Sequence, residues 1–270
     1  MDVSALHIYP IKSCGGTALD AAAIQARGFA NDRRWLIVDA DGRFLTQREI
    51  ARMALIRPDV DDHCLRLRAP DTADFELAVD QSGRRVEVTI WKDSGVGAVD
   101  QGDAAAGWLS DFLGRDVRLV RFADDYTRQV DQKYAPRETD QVGFADAYPF
   151  LIISEESLAD LNSRLDEPLP MNRFRPNIVV RGADEPYAED GWKAIRIGGI
   201  VFDVVKACAR CAITTTDQAT AARGKEPLRT LATYRQGPKG SPLFGQNAVH
   251  RSAGTIRVGD AVEVVEYRYS

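Results

Sequence analysis

The chain has 270 residues, 44% hydrophobic and 28% charged, enough for one large domain or two modest ones with real cores. Its 40 acidic residues against 35 basic ones leave a formal net charge of −5, which argues against a general nucleic-acid binder resting on a broad basic surface. No stretch approaches the ~18 uninterrupted apolar residues of a membrane span, and residues 1–7 lack the cationic and apolar runs of a secretory signal.

Residues 3–9 alternate loosely like a half-buried strand that stops at Pro10, ahead of Ile11-Lys12-Ser13-Cys14-Gly15-Gly16. A strand ending in that segment suits an anion, through one cation, one hydroxyl and close backbone amides; a plain surface glycine turn is the competing reading. Residues 33–38, an Asp41-Gly42 turn and residues 44–46 read as a hairpin, with Arg33 and Arg34 as a solvated pair at its entrance. Residues 63–68, 75–79 and 85–91 alternate at hairpin spacing and predict a closed or sandwich-like β domain. Residues 103–114 predict a helix, with Asp103 as N-cap and Trp108, Leu109, Phe112 and Leu113 on one face; residues 117–122 return to strand.

The polar segment 123–141 offers little to a core and is expected to divide a first domain, 1–122, from a second, 123–270. Residues 149–153 form a continuous apolar run, hence a buried strand. Ser154 then caps a helix whose first turn holds Glu155 and Glu156, favourable against the helix dipole, with Leu158, Leu161 and Leu165 as its apolar stripe. In Asn172-Arg173-Phe174-Arg175-Pro176-Asn177 the proline biases Arg175 toward extended geometry, so that two arginines sit in a defined loop before the strand at 178–181. Residues 192–197, a Gly198-Gly199 turn and residues 200–205 predict a hairpin feeding Cys208-Ala209-Arg210-Cys211. A short helix at 227–234 and strands at 246–251 and 255–265, the last folded around a Gly259-Asp260 turn, complete a mostly β (α+β) chain.

The cysteine turn concentrates the reactive chemistry. An arginine directly before Cys211 is a nearby cation, and positive charge favours the thiolate that attacks or binds metal. Structural zinc needs four ligands, and His7, His63 and His250 supply no second pair. A thiol–disulfide motif normally opens a helix, whereas Ile213-Thr214-Thr215-Thr216 is rich in β-branched residues. Two buried structural cysteines remain a reading, better suited to Cys208 than to Cys211. Soft ligation of a redox metal fits the turn better. Cys14 and Cys64 lie far from the pair and do not look like a disulfide framework, so a reducing cytoplasm is expected.

Six segments taken together resemble the MOSC family, specifically the branch that pairs an N-terminal MOSC-type β-barrel domain with a MOSC β-barrel domain, as in the mitochondrial amidoxime-reducing component and its bacterial relatives. They are Tyr9-Pro10-Ile11-Lys12-Ser13-Cys14, Asp32-Arg33-Arg34-Trp35, Asn172-Arg173-Phe174-Arg175-Pro176-Asn177-Ile178-Val179, the cysteine turn with Thr214, Thr215 and Asp217, Lys225-Glu226-Pro227-Leu228 with Thr230-Leu231, and Ser241-Pro242-Leu243-Phe244-Gly245-Gln246. The resemblance implies a molybdenum cofactor (Mo-molybdopterin) enzyme that reduces small N-hydroxylated compounds such as amidoximes and hydroxylamines. It places the metal-ligating, catalytic thiolate on Cys211, and cofactor contacts on Lys12, Ser13, Arg33, Arg175, Asn177, Ala209, Arg210 and Asn247. Asp146-Ala147-Tyr148 matches a segment that also lines the cofactor, by backbone here because small polar residues of some relatives are replaced.

The residues agree with that implication. Molybdopterin carries a phosphate and an anionic dithiolene, so its pocket needs scattered cations, and Lys12, Arg33, Arg175 and Arg210 come from three distant parts of an acidic chain. The four-cysteine set of an appended iron–sulfur domain, carried by some relatives, is missing. Electrons are therefore expected from a separate ferredoxin-, flavin- or haem-type protein, with no nucleic acid or membrane partner. The alternative is a carrier of the cofactor or of sulfur without turnover of its own.

Overall fold

A computed structural model of the protein describes residues 1–79 and 81–268. Its largest element is a curled eight-stranded sheet, in the order Val262–Tyr267, Trp192–Ile197, Ile200–Ala209, Leu243–His250, Phe150–Ser154, Ile178–Arg181, Asp2–Ile8 and Thr17–Leu19. Neighbours pair antiparallel except Phe150–Ser154 with Ile178–Arg181, which run parallel and need the crossover that helix α2 (Glu155–Asn162) supplies. As the sequence predicts, Ser154 caps that helix by accepting from the Ser157 amide at 3.1 Å. One face of the sheet carries Phe150, Ile152, Ile178, Val180, Phe202, Val204 and Ala248 into a buried core that also takes Ala22, Ile24 and Ile256 from a small flanking sheet.

The opposite face is re-aimed by a bulge. Val204 pairs with Ala248, but the register shifts before Lys206, which pairs with Asn247. Without the extra residue Lys206 would follow Val204 into the core, since alternate residues share a face. With it, Lys206, Asn247, Leu151 and Asn177 form a row across the sheet: Leu151 pairs with Asn247, and Asn177 donates its amide to the Leu151 carbonyl at 2.9 Å. The candidate site is built on this row.

The sheets Trp35–Val38/Arg118–Phe122/Asp93–Asp100/Arg85–Ile90 and Arg57–Val60/Cys64–Ala69/Thr72–Ala78, with helix α1 (Asp103–Leu113), surround two further cores. Trp35, Leu65, Leu67, Leu109 and Phe112 fill one of them, Val88, Val96, Phe122 and Phe144 the other. Among the described residues no helix is long and apolar enough to cross a membrane.

Four local expectations are corrected. Asp103 is the first helical residue of α1, not its cap; Gly102, at φ +88°, makes the turn, with its amide donating to Asp100. Arg34 is not solvated: it is 8% exposed, donates to the Gln25 side chain at 3.3 Å, and burial pulls its pKa down to about 10. The second arm of its hairpin shrinks to a single Val38–Phe44 bridge. The strands flanking Gly259-Asp260 do not pair with each other: Gly254–Arg257 joins Ala21–Gln25, and Val262–Tyr267 joins Trp192–Ile197. The Val3 backbone takes the turn instead, donating to the Asp260 carbonyl and accepting from the Gly259 amide, and this holds the two arms apart.

Candidate functional site

A cleft of about 270 Å³ opens over the row described above. It collects Lys12, Ser13, Arg33, Arg175, Asn177, Ala209, Arg210, Cys211 and Asn247, together with Asp146, Ala147 and Tyr148. All of the cofactor-site positions expected from the sequence therefore lie in one place. Six cations line it (Lys12, Arg33, Arg48, Arg175, Lys206 and Arg210) against one carboxylate, Asp146. In a chain of net charge −5 this is a focused positive site, suited to a ligand with several negative charges.

Three of its loop residues, Ser13, Arg33 and Arg175, have positive φ (67°, 47° and 58°), a conformation costly for side-chain-bearing residues and concentrated at functional sites. The proline after Arg175 biases against the right-handed helical region, but Arg175 adopts the left-handed one rather than the expected extended geometry. Tyr9 holds the two loops together. Its buried ring lies 4.4 Å from the Arg33 guanidinium and 4.1 Å from that of Arg175, and its hydroxyl donates to the Pro176 carbonyl at 3.0 Å. Burial pushes the phenol up to about 12 and pulls Arg175 down to about 10. Gly16 makes room for that ring, since a Cβ there would stand 2.5 Å from Tyr9 Cε1. Gly16 of the anion-turn reading is thus a packing requirement.

Arg33, Arg175 and Lys12 each have a fixed seat. Arg33 donates to the Asn177 side chain at 2.9 Å and pairs with the buried Asp32, whose other oxygen accepts from the Tyr9 amide at 2.8 Å. Arg175 donates to the Cys14 carbonyl at 2.6 Å. Lys12 donates to the Phe144 carbonyl at 2.8 Å and pairs with Asp146, which also accepts from the Trp91 indole at 3.0 Å. Surrounding protein disfavours charge on Asp146, yet the Lys12 ammonium and the hydrogen bonds from Lys12 and Trp91 outweigh this and hold its carboxyl well below the usual carboxylate range.

The two sulfurs of the turn part company. Cys211 is exposed in the cleft and precedes a four-residue 3₁₀ turn, Ala212–Thr215. The β-branched run is accommodated there because Thr214 returns its hydroxyl to the Cys211 carbonyl at 3.0 Å and Thr215 returns its own to that of Ala212 at 2.8 Å. Cys208 packs against the core cluster that contains Leu151, Phe174 and Phe244. Arg210, read from the sequence as the cation next to Cys211, donates instead to Cys208 Sγ at 2.9 Å and to the Phe174 carbonyl at 2.7 Å. Residues two apart on an extended chain face the same side, and adjacent ones do not. Among the described residues no group of three or more His, Cys, Asp and Glu side chains is arranged to hold a metal.

Residues 1–116 match the MOSC N-terminal beta barrel domain, and residues 139–263 match the MOSC domain. The chain is 39% identical over 276 residues to mitochondrial amidoxime-reducing component 1 of Homo sapiens, a match covering 96% of this chain and 82% of that protein. It is 37% identical over 277 residues to mitochondrial amidoxime reducing component 2 of Bos taurus, with the same coverage of each. The chain belongs to the MOSC family.

Several residues that shape this MOSC site carry no sequence signal of their own. Gln47 and Gln218 are buried and exchange amide hydrogen bonds at 3.0 and 3.1 Å, while Gln47 also donates to the Ser13 carbonyl at 2.7 Å. Arg173, noted only as a loop arginine, is buried beneath the cysteine turn and donates to the Thr214 carbonyl at 2.9 Å. Lys206 and Arg48 reach the cleft through a register shift and a tertiary approach, neither visible in a linear pattern.

Proposed function

We propose that this chain is a reductase of small N-hydroxylated compounds that works with a bound molybdenum–molybdopterin group and a separate electron-donor protein, in a cytoplasmic setting. The observation that carries the reading is the single cleft in which an exposed thiol, Cys211, faces six cations in an otherwise acidic chain. Similarity to proteins named amidoxime-reducing components supports the substrate class. The division at residue 122 belongs to the same proposal: two barrel units, with strands Asp2–Ile8 and Ala21–Gln25 reaching across to complete the sheets of the second.

The donor set fits such a group. A site with one open thiol and no surrounding ligand cluster suits a metal held mainly by another ligand, with the protein adding a single soft thiolate. Arg210 Nε is buried without a hydrogen-bond partner, and that donor is left for an anion in the cleft. In this reading Cys211 ligates the metal, while Lys12, Arg33, Arg175 and Arg210 hold the anionic parts. Ser13, Asn177, Asn247 and the Ala209 backbone supply neutral polar contacts.

When bound, the group supplies two-electron oxygen-abstraction chemistry. The net conversion takes an amidoxime, two electrons and two protons to an amidine and water: the N–O bond breaks and the oxygen leaves as water. The chain's own part is positional and electrostatic. Arg210 holds Cys208 away from the open thiol and Arg173 fixes the carbonyl one turn beyond it, which leaves a single sulfur presented at a set place. Asp146, kept ionised beside Lys12, is the one carboxylate in the cleft and accepts hydrogen bonds from N–H groups there.

The test is reduction of benzamidoxime by cofactor-loaded protein with an artificial donor, wild type against Cys211→Ser. Turnover by wild type alone supports the reading. Full activity in the loaded variant overturns the role of Cys211, and stoichiometric release of cofactor to an acceptor without turnover supports the carrier alternative.

A further inference from the structure

The reduction just proposed consumes two electrons, and a protein that delivers them singly must dock and leave twice per turnover. Such encounters are small, transient and governed by charge more than by buried apolar area. The rim of the cleft has that character. A second groove, lined by Trp91, Lys92, Asp93 and Lys133, adjoins the main cleft and shares Asp146 and Ala147 with it.

Two exposed aromatics stand on this rim, each under cations. Arg48 lies 4.2 Å from the Trp91 ring, while Lys133 and Lys206 lie 5.2 and 4.8 Å from the Tyr134 ring. Trp91 is 46% exposed at φ +53°, a costly conformation for a bulky residue, and it presents its indole at the edge of the cleft.

The charge on the rim is unbalanced. Arg48, Lys92, Lys133 and Lys206 form no ion pair with a carboxylate among the described residues, whereas the nearby carboxylates Asp146 and Asp93 are already neutralised by Lys12 and Arg128. Asp131 is the remaining acid among the described residues that line the second groove, and it accepts from the Lys133 backbone amide. Elsewhere the chain is acidic overall, so an extended polyanion would be repelled beyond this patch; a compact partner with one small acidic face would not.

We propose that this rim is the docking surface for a small acidic one-electron carrier protein, which places its redox group over the mouth of the cleft. The proposal rests on the reductase reading above. Each docking delivers one electron, the carrier being oxidised, and two dockings supply the pair that breaks one N–O bond with protons from water.

The probe is a plant-type two-iron ferredoxin, reduced in advance and mixed with cofactor-loaded protein and benzamidoxime. The variant is Lys92→Glu with Lys133→Glu, two exposed positions outside the lining of the main cleft. Expected are a wild-type rate of ferredoxin oxidation that falls with added salt, a loss of about 10-fold or more in the variant at low salt, and an unchanged rate with a zwitterionic viologen donor. An unchanged ferredoxin rate in the variant, an equal fall with both donors, or no wild-type oxidation of the ferredoxin while the viologen supports turnover would each overturn the docking surface. If the viologen-driven reaction fails in wild type, the reductase reading falls by itself. Line broadening of the ferredoxin's NMR signals on titration with the protein then decides the surface: broadening that is lost in the variant upholds it, and no broadening removes it.

Discussion

Replacing Arg173 with alanine tests whether the cysteine turn is held from beneath. Arg173 is 6% exposed and donates through Nε to the Thr214 carbonyl at 2.9 Å and, more weakly, through Nη2 to the Glu226 carbonyl at 3.4 Å. It also lies 3.6 Å from Asp217, a partly exposed carboxylate. Leaving the buried Thr214 carbonyl unpartnered costs about 1–3 kcal/mol, and the half-screened ion pair adds at most about 1 kcal/mol. Arg173→Ala is therefore expected to lower the unfolding free energy by about 1–4 kcal/mol, read as a shift of the urea midpoint at constant slope. Arg173→Lys, which keeps the charge but not the planar fork, should recover about half of that. Thr214 closes onto the Cys211 carbonyl, so the same substitution should also raise the rate at which Cys211 reacts with a disulfide reagent. An Arg173→Ala protein within about 0.5 kcal/mol of wild type and with unchanged thiol reactivity would show that Arg173 does not hold the turn.

Two further substitutions probe the scaffold. Gly16→Ala places a methyl group 2.5 Å from the buried Tyr9 ring that both arginines cover, and should destabilise by about 1–3 kcal/mol in thermal or urea unfolding; a neutral result would show that the ring moves freely. Glu189 is fully buried, accepts from Ser154 and Ser157 at 2.8 to 3.2 Å, and is raised by burial above its ordinary value of 4.5. The folded protein therefore binds this proton more tightly than the unfolded chain. Its contribution to stability is full below pH 4.5 and is lost as pH rises through the folded value. Glu189→Gln should flatten the fall in stability on the alkaline side of pH 4.5, measured as unfolding free energy against pH; an unaltered slope would contradict the assignment.

Much of the fold was legible because its signals are local. The Ser154-Glu155-Glu156 cap and the Gly198-Gly199 hairpin satisfy their own backbone, and the apolar run before Ser154 announces its burial by composition alone. What stayed hidden depends on pairing. Nothing in residues 254–267 says that the two strands join different sheets, because the Val3 backbone that separates them lies at the other end of the chain. The site divides in the same way. Lys12, Arg33, Arg175 and Cys211 stand in quotable motifs, whereas Lys206 enters the cleft only because a bulge reverses the phase of its strand. Arg210 shows that adjacency in sequence is not adjacency in space: next to Cys211 in the chain, it donates to Cys208, two residues back.

In the proposed function Cys211 is the single metal-binding thiolate of a cationic cleft. Molybdenum content per protein, measured on wild type, Cys211→Ala and Cys208→Ala purified from one cofactor-competent host, tests it most directly. Expected are molybdenum in wild type and in Cys208→Ala, and a large loss in Cys211→Ala with the fold intact by circular dichroism. No molybdenum in wild type, or equal retention in all three proteins, would contradict it.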